Sequence, residues 1–193
     1  YLNRNFDEAE RLSEVIVAMS ASKVDKARVY TTMVVLYTNL RSPREAIELG
    51  LSALKLFGVS IPIDVGRGPV VVSLLRAQRA LRRYTLEEIL ALPRMQDEEL
   101  LAAHDLMFRI ATPAYFVNPN LFALLTLRCV NDSLRYGHVP HAPLAFMALA
   151  TIVETGRGDY DLGYRLGEMA LKLNDRLDNR AVAGPVHHIF AFF

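Results

Sequence analysis

The chain has 193 residues, enough for one large domain or a short run of repeats, and its 52% hydrophobic share implies a substantial core. A net charge of +1 provides no overall field toward nucleic acid or an anionic membrane, and neither is expected as a partner. The single cysteine, Cys129, excludes an internal disulfide and a cysteine-based metal cluster within the monomer. The longest largely apolar run, Ala142 to Val153, is too short to span a bilayer and contains Pro143, so a cytoplasmic setting is expected.

In chain order the elements are helices, and the β-branched run Val70-Val71-Val72 leads directly into a helical pattern. Phe6 to about Ala21 carries Phe6, Ala9, Leu12, Val15, Ile16 and Met19 at helical spacings. Ser22, with Asp25 three positions on, can cap a helix over Lys23 to Leu40. Ser42-Pro43-Arg44-Glu45 combines an N-cap, a first-position proline and a third-position glutamate, and Gly58 is a suitable left-handed stop. Residues 57–68 then read as a loop with Gly and Pro punctuation. A helix is predicted from about Pro69 to Arg83, and Thr85-x-x-Glu88 opens a short one closed by Pro93. Gln96 to about Phe116 is periodic, and Asn118-Pro119 caps a helix that stops at Gly137. His141 to Thr155 and Asp159 to Leu177 form a hairpin joined through Gly156-Arg157-Gly158, and a last helix begins near Arg180 and is cut off. Because Tyr1 is not an initiator Met and the final residues stop inside an apolar run, the chain reads as a segment of a longer protein.

Leu-Gly-x-x-Ala-Leu-Lys-Leu occurs twice, starting at Leu49 and Leu166, roughly 117 residues apart, close to three helical-hairpin lengths. An isolated hairpin cannot bury its apolar face alone, so such duplication points to stacked hairpins and to a binding surface rather than a catalytic pocket.

Around the second hairpin the residues resemble a tetratricopeptide repeat. Tyr30 and Tyr37 stand at the large aromatic positions of the first helix, and Ala46 and Ala53 at the small positions of the second. Asn5-Phe6-Asp7-Glu8-Ala9 is similar to the family's turn and helix start, and Gly158-Asp159-Tyr160 with Gly163 and Ala170 repeats the pattern. Val34 replaces the usual Gly, Gly50 and Gly167 replace an aromatic, and the closing proline is displaced to Pro62. The resemblance implies an all-α, right-handed α-solenoid of antiparallel helical hairpins, degenerate in the middle. It divides the chain into tetratricopeptide-like hairpins over 1–58, a degenerate helical region over 59–138, and a hairpin plus truncated helix over 139–193.

Gly-Asp-Tyr-x-x-Gly-Tyr-Arg-Leu-Gly (158–167) and Ala-Tyr-Phe-Val-Asn-Pro-Asn-Leu-Phe (114–122) resemble the helical region of large bacterial signalling proteins. Those proteins join a serine/threonine-kinase-like domain, a STAND-type ATPase, a helical array and a sensor histidine kinase. Related arrays occur in ATP-dependent transcription activators, where the groove would receive an inducer. The resemblance implies a non-catalytic protein-interaction and signal-relay segment without cofactor. Its partners would be a protein or peptide, neighbouring domains of the same chain or a small effector, with dimerisation through terminal repeats. The family's concave face, transferred to the second hairpin, consists of Arg28, Thr31, Val35, Thr38 and Asn39.

Other constellations have plainer readings. Arg76, Arg79 and Arg83, with Arg82 adjacent, form a basic stripe, expected to be a solvated helix face given the balanced charge. A helical metallohydrolase would need His138, His141 and His187/His188 to converge, yet Pro140 interrupts the first pair and adjacent helical histidines diverge by about 100°. Gly66-Arg67-Gly68-Pro69 lacks the lysine and strand of a phosphate loop. His104 reads as an ordinary helix residue and Cys129, in an apolar helix, as a buried small hydrophobe.

Overall fold

The computed structural model describes residues 6–40 and 42–193, so Asn5 of the first repeat-like turn lies outside it. Among the described residues there are ten α-helices and no strands. They are α1 (Phe6–Met19), α2 (Lys23–Leu40), α3 (Pro43–Leu54), α4 (Arg67–Leu81), α5 (Leu86–Ala91), α6 (Glu98–Val117), α7 (Pro119–Tyr136), α8 (Ala142–Arg157), α9 (Tyr160–Leu177) and α10 (Arg180–Phe190). None of them is long and apolar enough to cross a membrane.

Local chemistry sets most of the ends. Ser22 Oγ accepts from Asp25 N at 3.3 Å. Thr85 and Glu88 form a reciprocal capping box, satisfying two otherwise orphaned N–H groups at the start of α5. Asn118 Oδ1 accepts from Asn120 N and Leu121 N ahead of α7. Gly58 and Gly158, at φ 70° and 65°, take the left-handed stop after the Lys55–Phe57 3-10 turn and after α8. Two boundaries differ from the sequence reading: α4 starts at Arg67, inside the expected loop, and α8 continues through Gly156 to Arg157. At Ser42 the side chain makes no capping bond, leaving Pro43 in the first turn as the start signal.

The chain forms two compact units. The first unit comprises residues 1–65 and 97–122, the second 66–96 and 123–193. In the first, α2 and α3 form an antiparallel hairpin and α6 packs on both. Lys23 Nζ pairs with Glu99 Oε2 at 3.1 Å, which brings the N-terminal ends of α2 and α6 together and makes them parallel. Val34, Ile47, Leu54, Leu106 and Ile110 are fully buried here, each contributing about 1.5–3 kcal/mol of transfer free energy. The loop after α3 is tied down by Asn118 Nδ2, which donates to Ile63 O at 3.0 Å, and by Asn120 Nδ2, which donates to Val65 O at 3.2 Å.

α1 packs on α2 by its small residues, with Ser13 Oγ donating to Ala9 O and touching Met33 Sδ. The apolar stripe that marks it as a helix therefore points outward, Leu12, Val15, Ile16 and Met19 being 44–82% exposed.

In the second unit α8 and α9 form the hairpin and α10 packs on both. Asn179 Nδ2 donates to Pro140 O at 2.6 Å, so α8 and α10 also start side by side and run parallel. The first Leu-Gly-x-x-Ala-Leu-Lys-Leu segment thus closes α3 and enters the 3-10 turn, the second lies within α9, and each of these helices is the second of a hairpin followed by a third helix parallel to the first. Their glycines do the same job. A Cβ on Gly50 would lie 2.5 Å from Ile110 Cγ1 of α6, and one on Gly167 2.9 Å from Phe190 Cδ2 of α10. Ahead of α8, residues 93–95 are stapled to His138: His138 N donates to Pro93 O at 2.8 Å and Met95 N to His138 O at 3.0 Å.

Candidate functional site

A groove of about 240 Å³ runs between α2 and α6 in the first unit. Val24, Ala27, Arg28 and Thr31 line it from α2, and Glu98, Leu101, Ala102 and Asp105 from α6. Both sets follow i, i+3, i+4, i+7, so each is a single ridge of its helix. Short side chains, the buried Ala27 and half-buried Ala102, form the floor, leaving room for an incoming group.

The rim is charged with both signs. Arg28 pairs with Asp25 at 3.1 Å and Asp105 with Arg109 at 4.0 Å, all partly to largely exposed. Exposed pairs of this kind contribute at most about 1 kcal/mol, so Arg28 and Asp105 can exchange them for a ligand's carboxylate or ammonium at little cost. At about 240 Å³ the groove has room for one or two peptide side chains.

Of the five groove residues expected from the sequence, Arg28 and Thr31 line this groove. Val35, Thr38 and Asn39 lie further along α2, outside its lining. Thr38 Oγ1 donates to Val34 O at 2.7 Å and Asn39 Nδ2 to Val35 O at 2.9 Å, so both polar groups fold back onto their own helix. Sequence reasoning misses the α6 half entirely. No local signal marks Glu98 or Asp105 as a partner of α2, because the intervening α4 and α5 belong to the other unit.

The histidines occupy separate settings. His138 and His141 are buried before α8, while His187 and His188 are exposed on α10. Among the described residues no three His, Cys, Asp or Glu side chains are grouped so as to hold a metal ion. His104 is buried on α6. Cys129 is buried on α7, and burial, then the nearby Asp132 charge, pushes its thiol up to about 12 against a weaker opposing bond from Ser133.

His138 Nε2 donates to Ile89 O at 2.7 Å, and its Nδ1 is buried without a hydrogen-bond partner among the described residues. Burial, with a further contribution from Arg176, holds the imidazole below its ordinary pKa of 6.5, although the Ile89 carbonyl opposes this. A depressed folded pKa means the unfolded chain binds the proton first as pH falls, so the stability contribution is complete above about pH 6.5 and declines below it. Melting temperature is therefore expected to drop between pH 7.5 and 5.5. His138→Gln, whose amide can still donate to Ile89 O, should flatten that slope; an unchanged slope would reject the assignment.

No protein-family model matches the chain, and neither does any curated protein or solved structure.

Proposed function

We propose that this chain is a non-catalytic interaction segment whose α2–α6 groove receives a short peptide of a partner protein or of a neighbouring domain. The observation that carries the reading is the groove itself: two parallel helices, a floor of alanines, and a rim of one guanidinium and two carboxylates. Extended peptides present alternating side chains and free backbone groups, which suit a narrow channel with small residues below and mixed charge above.

The tetratricopeptide-like reading is supported by the recurrence of a hairpin with a third helix parallel to its first, and by the shared glycine notch at Gly50 and Gly167. Groove binding between successive first helices is what that resemblance implies. On the residues at 114–122 and 158–167, the parent is proposed to be a large bacterial signalling protein with kinase, ATPase and histidine-kinase modules. In it this segment would relay contacts rather than perform chemistry.

Selection of a displayed random-peptide library on the whole chain tests the groove. Bound peptides should weaken about tenfold or more on Ala102→Arg, which fills the floor, and on Asp105→Arg, measured by fluorescence anisotropy. Both variants should melt as the parent does. Peptides indifferent to both substitutions would reject the groove as the binding site.

A further inference from the structure

The exposed face of α4, in the second unit, has no counterpart elsewhere among the described helices. Residues 65–86 contain five arginines and no carboxylate. Several helical arginines elsewhere pair with a carboxylate three or four residues away, as Arg11 does with Glu8, Arg44 with Glu48 and Arg165 with Asp161. Arg76, Arg79, Arg82 and Arg83 are all exposed and make no ion pair among the described residues. A merely solvated face does not explain the aliphatic residues beside them: Val71, Val72 and Leu75 are 52%, 49% and 58% exposed. The opposite side of the helix is anchored, with Ser73 and Ala77 buried and Asn131 Nδ2 of α7 donating to Ser73 O at 3.2 Å.

At about 100° per residue, the aliphatic and basic groups share one arc of about 140°, the aliphatics on the first turns and most of the arginines on the last. Val72, Leu75, Arg76, Gln78, Arg79 and Arg82 together line one open surface beside the helix. We propose that this face docks an acidic-aliphatic protein segment, with carboxylates over the arginine end and a Leu, Ile or Phe side chain over Val72 and Leu75.

The arrangement favours protein over the two other anionic partners. Laid flat in a membrane interface, α4 would submerge Arg79, which lies between Leu75 and Val72 on the arc, along with the aliphatics. A nucleic-acid backbone would pair the arginines but set phosphates against three aliphatic side chains that gain nothing from them. An acidic segment with apolar residues at one end satisfies both halves, with charge setting the orientation and apolar burial supplying affinity.

The test is a fluorescein-labelled peptide of about 15 residues, the residue count of α4, with glutamates in one half and leucine and phenylalanine in the other. It is titrated against the whole chain, with single- and double-stranded DNA and phosphatidylserine vesicles as parallel probes. The peptide should bind, and both Arg79→Glu/Arg82→Glu and Val72→Asn/Leu75→Asn should weaken it about tenfold or more. All four positions are exposed, so melting should be unchanged and loss of binding is not loss of fold. Ala102→Arg should leave this binding intact; loss there instead would send the peptide to the α2–α6 groove and overturn the proposal. Failure to bind the peptide, binding of DNA or vesicles in its place, or binding indifferent to the α4 substitutions would each overturn it as well.

Discussion

Gly137→Ala is expected to lower the unfolding free energy by about 3 kcal/mol, read as a lower urea midpoint at unchanged slope. Two costs combine. Gly137 has φ 101°, a conformation that side chains with a Cβ rarely adopt. A Cβ there would also lie 2.6 Å from Pro93 O, 3.1 Å from Met95 N and 3.2 Å from Arg94 C. These are backbone atoms, so no rotamer change relieves the clash. Residues 93–95 would have to retreat, breaking the two hydrogen bonds that staple them to His138. Gly58→Ala is the internal control: its φ is also positive, at 70°, but a Cβ there meets nothing within 4 Å. It should cost only about 1 kcal/mol, the conformational part alone. Equal effects at the two positions would mean that the 93–95 segment does not press on Gly137.

The second large effect is expected at the repeated glycines. Gly50→Leu and Gly167→Leu should each destabilise by about 1–3 kcal/mol through overpacking, with Gly50 the more sensitive. A Cβ on Gly50 would lie 2.5 and 2.7 Å from Ile110 side-chain atoms and 3.1 Å from Val34 Cγ2, and both neighbours are fully buried. Neither has space to move into. On Gly167 the contacts are with the edge of the Phe190 ring, at 2.9 and 3.1 Å, and that ring is only half-buried and can turn. The pairing is tested by a double-mutant cycle: Ile110→Ala should cost less in the Gly50→Leu background than alone, because the shorter side chain makes room. Additive effects would show that the two residues do not meet.

These glycines also show where sequence reasoning reaches its limit. Their repetition was visible, as was their place on second helices. Their contact residues were not: Ile110 lies far down the chain from Gly50, whereas Phe190 follows Gly167 closely, and no single period links both pairs. The same separation hid half of the candidate groove. Arg28 and Thr31 stand out on α2 by their phase, but Glu98, Leu101, Ala102 and Asp105 enter only because α6 lies parallel to α2 after a long excursion through the other unit. The stripe on α1 shows the converse error, in which periodicity identifies the helix and misleads about the side that is buried.

The sequence by itself determined the helical class, most helix ends and the duplicated hairpin. Capping, proline and left-handed glycine act within about four residues, so the adjacent residues suffice to read them. Tertiary structure alone decided the two-unit division, the partners of Gly50 and Gly167, the α2–α6 groove and the exposure of Val71, Val72 and Leu75 beside the α4 arginines. Those follow from many weak side-chain contacts between distant segments, and each contact has meaning only when the whole unit is packed.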